Sequence, residues 1–406
     1  MPPANSPRRP RIGTTVRRVL RGQHDPDQRR LRVVYLDHVA KLSGGELALL
    51  RTLPALLNDV EPIVVLAEDG PLREKLEAEG IDVRVLPLGD AVKDARRDTV
   101  VPGGVSLRQG KELGQYVLKL RKLLRELKPD LVHTNSLKAA LYGGFAGRLA
   151  GIPVLWHVRD RIADDYLPKP AVHAVRLAAR VLPTAVVANS QTTLNTLPRR
   201  GTVLGNPVVP DAVEIAEDRR RDVERPLTIG LVGRLSPWKG QDVFLKAFAQ
   251  AFPDGEERAH LVGSVMFGED AWEAGLHQLV HELGIEHRVE FRGFHDDIWS
   301  EYALLDIAVH ASTTPEPFGQ VVLEAMAAGV PLIAANEGGP AEVVLDGVDG
   351  VLVRPRDAQV LADAMARLSA DASLRAGLVA EGRRTAARYG PLRTAQGLIS
   401  VYRTVS

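Results

Sequence analysis

The stretch Glu316-Pro317-Phe318-Gly319-Gln320-Val321-Val322-Leu323-Glu324 sets two carboxylates eight positions apart around a glycine. An apolar helical pattern continues to Ala328, and Gly329, Val330 and Pro331 stop it before an apolar run at Leu332–Ala335. The helix therefore starts near Gly319, with Glu316 in the loop before it and Glu324 about a turn and a half inside. A helix start offers unpaired backbone N–H groups to an anion. A carboxylate beside it accepts directed hydrogen bonds from sugar hydroxyls. Phosphate and hydroxyls together describe a nucleotide sugar.

Two further loops carry phosphate-type chemistry. In Gly233-Arg234-Leu235-Ser236-Pro237-Trp238-Lys239-Gly240, Arg234 follows an apolar strand and Lys239 precedes a helical pattern. Both cations can converge on one diphosphate, Arg234 as a bidentate fork and Lys239 as a point charge. Ser43-Gly44-Gly45 also follows a strand, and its glycines let backbone approach a diphosphate without a Cβ in the way. Leu42–Glu46 resembles a transporter ATPase signature, but the chain has no Gly-x-x-x-x-Gly-Lys-[Ser/Thr], which excludes that reading.

The elements that must position these loops alternate. Strands are expected at Leu31–Asp37, Ile63–Ala67, Val83–Leu88, Leu131–His133, Val154–His157 and Ala185–Ala188, with helices between them, including Gln115–Leu127. Residues 90–110 read as a long loop. The pattern breaks around 209–226, then restarts with strands at Thr228–Val232, Ala259–Val262, Val289–Phe291, Asp306–His310, Leu332–Ala335 and Gly350–Val353. A polar-faced helical tail runs from Ala358 to about Arg388, and a last helix follows Tyr389-Gly390-Pro391. The fold class is α/β: two doubly wound parallel sheets in tandem, with ligands expected at strand carboxyl ends in a cleft between them. The expected organisation is a basic tail over 1–30, an N-terminal acceptor domain over 31–208, a linker over 209–226, a donor domain over 227–388 and a closing helix over 389–406.

The bulk numbers agree with an enzyme of this size. A chain of 406 residues exceeds one typical core, and 45% hydrophobic with 25% charged residues is ordinary for a globular protein. A net charge of +1 gives no global argument for nucleic-acid binding, and the absence of Cys excludes disulfides, Cys-zinc sites and a thiol nucleophile. No apolar run is long enough to span a bilayer, and Arg8-Arg9 lacks the hydrophobic segment of an export signal, so a cytoplasmic location is expected. The Arg- and Pro-rich residues 1–30 read either as a disordered tail or as a basic segment resting on the anionic inner face of the membrane.

The chain resembles the retaining glycosyltransferases of the GT-B fold, family 4 (glycosyl transferases group 1). The resemblance is carried by Gly233-Arg234-Leu235-x3-Lys239-Gly240, by Glu316-x7-Glu324 with the following Ala-Met-Ala-Ala-Gly-Val-Pro, by Gly338–Glu342 and by Asp349–Val353. It is dense over roughly 227–356; the N-terminal half matches in its Gly-Gly loop and order of elements. It implies that Arg234 and Lys239 bind the donor diphosphate and that Glu316 holds donor-sugar hydroxyls, these three serving catalysis. It implies that Phe318, Gly319 and Gln320 offer backbone N–H groups, that Glu324 binds ribose, and that Gly44 and Gly45 approach the phosphates from the other domain. Arg292-Gly293-Phe294 would lie near a uridine or guanosine base, and the final helix would cross back onto the N-terminal domain.

One departure bears on the acceptor side. Many relatives place a His where this chain has Asn135, in Leu131-Val132-His133-Thr134-Asn135. Asn135 can bond a hydroxyl but cannot trade a proton near neutral pH. His133 reads either as an acceptor-side group or as an ordinary strand-end residue; His157 and Arg159, in Trp156–Asp160, are the second candidates. Asp-x-Asp occurs only as Asp25-Pro26-Asp27, and His277 and His281 read as a solvated helix face, so no metal and no cofactor beyond the donor are expected. The expected function is retaining hexosyl transfer from a UDP- or GDP-sugar to an acceptor hydroxyl, in glycan, glycolipid or cell-envelope polysaccharide synthesis, with an acceptor that is free or lipid-linked. Two alternatives stay open: an epimerase or phosphorylase on the same architecture, and a non-catalytic nucleotide-sugar-binding scaffold.

Overall fold

The computed structural model describes residues 29–89, 107–209, 225–266 and 268–406. The expected tail up to residue 28, most of the 90–110 loop and most of the linker lie outside them. The N-terminal half runs β1 (Leu31–Asp37), α1 (Gly44–Leu56), β2 (Val60–Leu66), α2 (Pro71–Ala78), β3 (Asp82–Val85), α3 (Leu107–Leu127), β4 (Leu131–Thr134), α4 (Leu137–Ala150), β5 (Val154–Val158), α5 (Lys169–Val181), β6 (Ala185–Ala188), α6 (Gln191–Leu194) and β7 (Thr202–Val203). The C-terminal half runs β8 (Thr228–Val232), α7 (Gln241–Ala251), β9 (Arg258–Val262), α8 (Asp270–Glu282), β10 (Val289–Gly293), α9 (Ile298–Tyr302), β11 (Ile307–His310), α10 (Gln320–Ala327), β12 (Leu332–Ala335), α11 (Pro340–Val343), β13 (Val351–Val353), α12 (Ala358–Ala370), α13 (Ala372–Ala387) and α14 (Pro391–Val405).

Both sheets are parallel, in the orders β3-β2-β1-β4-β5-β6-β7 and β10-β9-β8-β11-β12-β13. The first strand of each half sits centrally, and the order reverses beside it, which opens a crevice at the strand carboxyl ends. Such strands are covered on both faces, so β4, β5, β8, β11 and β12 are buried throughout. These are the two Rossmann-like sheets of the GT-B fold.

The closing helix α14 packs on α1: Ala395, Leu398 and Tyr402 enter the same apolar cluster as Leu49, Leu53 and Tyr35. Several elements differ from the sequence reading: β3 ends at Val85 rather than Leu88, α6, β7, α9 and α11 are additional, and two helical regions change. α3 begins eight residues before Gln115, its polar first turns fastened by Arg108 to Glu112 at 3.0 Å. The polar tail is two helices, because Asp371 takes an extended conformation and its carboxylate caps α13 at Leu374 N, 2.8 Å away.

Candidate functional site

Glu316 is the best-anchored carboxylate at the crevice. It leaves β11 by a short loop and is 6% exposed. Its Oε1 accepts from Lys239 Nζ at 2.5 Å, Ser312 Oγ at 2.5 Å and His310 Nε2 at 2.9 Å. Burial pushes the Glu316 carboxyl up, but Lys239 and His310 outweigh it and hold the group well below the usual carboxylate range. It is therefore a fixed, ionised acceptor that stays available to hydroxyls.

Lys239 arrives from a single 3-10 turn, Pro237–Lys239, after β8. Gly240 ends that turn at φ 71°, and a Cβ there would fall 2.0 Å from the Ala311 carbonyl oxygen. The close approach of these two loops is what sets Lys239 on Glu316. Both expected cations lie near the Trp238 ring: Lys239 Nζ is 4.5 Å and the Arg234 guanidinium 5.8 Å from its centroid. Arg234 Nε also lies 3.6 Å from Glu269 Oε2.

Gly319 caps α10 in the left-handed region at φ 81°, where an added Cβ would meet Pro340 Cγ at 2.7 Å. Phe318 is buried against Tyr389, and Gln320 opens the helix. Glu324, one turn in and 6% exposed, faces the N-terminal half: Arg51 of α1 donates to its Oε1 through both terminal nitrogens at 3.0 Å. Other contacts cross between the halves. Ser190 Oγ and Thr193 Oγ1 donate to the Pro317 carbonyl at 2.5 and 3.1 Å, and Arg161 donates to Pro315 O at 3.1 Å.

Across the crevice, Gly44 and Gly45 open α1. A Cβ on Gly44 would meet nothing within 4 Å, so no protein atom demands glycine there, whereas a ligand lying on the backbone would. Asn135 Nδ2 donates to Asp37 Oδ2 at 2.6 Å and to Gly45 O at 3.2 Å, and its Oδ1 accepts from Arg159 Nε at 2.9 Å. Arg159 also reaches Asn206, and its burial lowers the guanidinium to about 10. Glu46 is buried beside this group, and its carboxyl is pushed up to about 7 by burial and then by Asp37.

His133 and His157 lie beneath that layer. Burial first, and Arg159 second, hold both imidazoles well below their usual range, so both are neutral. Arg159 NH2 can only donate, so His157 Nδ1, 3.3 Å away, accepts. His133 Nε2, at 3.2 Å, then donates to the same atom, and its Nδ1 accepts from Tyr402 OH at 2.6 Å. Tyr35 OH donates to Tyr402 at 3.0 Å. His133 thus faces the closing helix with 1% exposure, the strand-end packing role, and has no direct route to a substrate. His157 also interacts within this chain, leaving its Nε2–H buried without a partner among the described residues.

The segment expected near the base is partly occupied. Arg292 donates to Glu301 at 2.8 and 3.0 Å and to Glu290 at 2.6 Å; Gly293 turns at φ 71°, and Phe294 is exposed. His277 stacks on Phe291 and His281 pairs with Glu286, so the two do not converge on a common point. Arg51, His310, Ser312, Glu46 and Asp37 were not singled out from the sequence. A signal existed for His310, which ends a buried apolar strand six residues before Glu316. None existed for Arg51, whose partner is 273 residues away.

The comparisons with known proteins agree with this fold. Residues 72–211 match the model of Glycosyltransferase Family 4, and residues 214–385 that of Glycosyl transferases group 1. A D-inositol 3-phosphate glycosyltransferase of Thermobispora bispora is 30% identical over 315 residues, 70% of this chain and 73% of that protein. The namesake of Corynebacterium urealyticum is 34% identical over 204 residues, so the matched part spans about half, 48%, of that relative's length. Among solved structures, Anabaena HepE in complex with UDP and glucose superposes with a TM-score of 0.80 at 29% identity, covering 93% of this chain and all of HepE. HepE has also been solved in complex with UDP-glucose. The chain belongs to the glycosyl transferases group 1, the family 4 glycosyltransferases of the GT-B fold.

Proposed function

We propose that this glycosyltransferase moves a hexose from a UDP-linked donor to an acceptor hydroxyl with retention and without a metal, building a glycan or glycoconjugate. The observation that carries the reading is the Lys239–Glu316 pair, 2.5 Å apart at the approach to the α10 N-terminus. A cation and a helix start suit the leaving diphosphate, and an ionised carboxylate suits the sugar hydroxyls. Glu324 takes the ribose, Arg234 shares the diphosphate, and Phe318, Gly319 and Gln320 supply backbone N–H groups. Gly44 and Gly45 meet the phosphates from the opposite side. HepE, at 29% identity, was solved with UDP-glucose, which supports uridine over guanosine.

In the reaction, the bond from C1 to the diphosphate oxygen breaks and its electron pair stays on the diphosphate, stabilised by Lys239 and Arg234. The acceptor oxygen bonds C1 on the same face, and its proton passes to the leaving phosphate. No strong protein base is needed, so Asn135 and Arg159 position the acceptor rather than deprotonate it. The test is a thermal-shift screen of UDP- and GDP-sugars, followed by UDP release with added chelator and NMR of the product's anomeric centre. A melting temperature raised by a UDP-hexose, chelator-resistant turnover and a retained anomer are expected. Stabilisation by GDP-sugars alone, loss of turnover with chelator, or an inverted product overturns the corresponding part.

A further inference from the structure

The outer surface of α3, α4 and α5 has a composition that the sugar chemistry does not require. Five of the ten large hydrophobic side chains exposed among the described residues lie on these three helices: Leu118, Phe145, Leu149, Leu177 and Val181, each 48–61% exposed. The same helices carry eleven Lys and Arg against two Glu, a net +9 on a chain whose total is +1. The face is continuous. Arg121 of α3 donates to Leu149 O of α4 at 3.0 Å, and Arg148 of α4 donates to Leu182 O just beyond α5 at 2.8 Å.

Phe145 and Leu149 are spaced i,i+4 on α4, and Leu177 and Val181 likewise on α5, so each pair projects on one side of its helix. α4 and α5 start at the strand carboxyl ends, where the crevice is, and these pairs fall in their later turns. The patch is therefore set back from the catalytic loops.

We propose that this face docks the protein on an anionic lipid bilayer. Phe145, Leu149 and Leu177 enter the headgroup region, while Lys119, Lys122 and Arg180 meet lipid phosphates. Apolar groups ringed by cations match a surface that is apolar below and anionic above. A second copy of this face would oppose net positive to net positive. A nucleic acid would satisfy the cations but leave the apolar groups against a polar polymer. The proposal is independent of the donor and acceptor readings.

The test is co-sedimentation of the full chain with vesicles of phosphatidylglycerol and phosphatidylcholine in equal parts, against phosphatidylcholine alone. Two double variants are compared with wild type, K119E/K122E and F145S/L149S, with melting temperatures as the folding control. Each cation near an anionic surface strengthens binding about fivefold. K119E/K122E removes two cations and adds two anions, so a loss beyond about 25-fold is expected. F145S/L149S is expected to lose about tenfold or more, in line with the apolar area withdrawn. Wild-type binding confined to anionic vesicles and lost in both folded variants supports the proposal. Wild-type affinity kept by either variant, as when residues 1–28 carry the contact, overturns it. So does wild type that ignores vesicles but dimerises or binds an RNA oligonucleotide through this face.

Discussion

Lys239→Ala separates what the cation does for the reaction from what it does for the fold. Its side chain is 13% exposed, and its Nζ lies 2.5 Å from Glu316 Oε1. On the rate, removing one preorganised charge-stabilising donor costs on the order of 10²–10³ in kcat. On stability, stranding one member of a buried ion pair costs about 3–5 kcal/mol. Glu316 keeps two other donors, Ser312 at 2.5 Å and His310 at 2.9 Å, so the loss should fall to that of one charge-assisted hydrogen bond, about 1.5–3 kcal/mol. With about 2–4 °C per kcal/mol, that is a fall in Tm of roughly 3–12 °C. The pH dependence has a defined sign. Glu316 is held below its ordinary 4.5 in the folded state, so its stabilisation is present above 4.5 and is lost as pH falls through the folded value. Lys239→Ala raises that folded value, and the acid limb of Tm against pH moves to higher pH. The assay is UDP release at saturating donor, with Tm followed from acid to neutral pH. A kcat within about threefold of wild type, well short of the loss expected for such a donor, would refute the catalytic role even if Tm fell as expected. A collapsed kcat with an unmoved acid limb would refute the ion-pair energetics.

Glu46→Gln should flatten the pH dependence of Tm: the folded carboxyl is raised to about 7, so its stabilisation is complete below 4.5 and lost as pH rises through 7. That range corresponds to about 3 kcal/mol, and parallel Tm–pH curves for variant and wild type would rule the effect out. Tyr402→Phe leaves His133 Nδ1 and the Tyr35 hydroxyl buried without their partner, at about 1–3 kcal/mol each. Urea unfolding measures it, and a midpoint equal to that of wild type would sink the stabilising role of those two hydrogen bonds.

The alternation of elements was legible because parallel strands covered on both faces read as unbroken apolar runs. Val33–Leu36 and Ile307–Val309 are such runs. The loops of the proposed donor site were legible for a related reason. Glycine, cation and carboxylate fall at strand–helix junctions within a few residues of one another, as Lys239 beside Gly240 and Glu316 before Gly319 do. The first turns of α3 were hidden by Gly110 and Gly114, which lower helix propensity, and only the Arg108–Glu112 pair and the packing of Leu113 reveal why they are helical. Asp371 looked like one more polar position in a long helix, yet its backbone N–H closes α12 on Arg367 O and its carboxylate starts α13. His133 was ambiguous because its neighbours along the chain say nothing about Tyr402, which is 269 residues away.

The pairings that sequence could not supply are those that make the two halves act on one loop. Pro317 lies next to Glu316 and two residues before Gly319, and its carbonyl is held by Ser190 and Thr193 from the N-terminal half. Glu342 of α11 accepts from the backbone N–H groups of Gln191 and Thr192, at the start of the short helix that contains Thr193. Arg51 fixes Glu324 from a third direction, through α1, the helix on which α14 packs. The loop bearing Glu316 and the helix bearing Glu324 are therefore fixed by contacts from the opposite half. The Glu316 carboxylate itself is held from its own half, by Lys239, Ser312 and His310, so the assembled crevice adds contacts to its loop backbone and the Arg51 pair to Glu324. In the proposed function, a donor that uses both carboxylates meets a site completed once the N-terminal half is seated on the C-terminal one. The Gly44–Gly45 backbone, which no protein atom crowds at Gly44, lies on that same seated side.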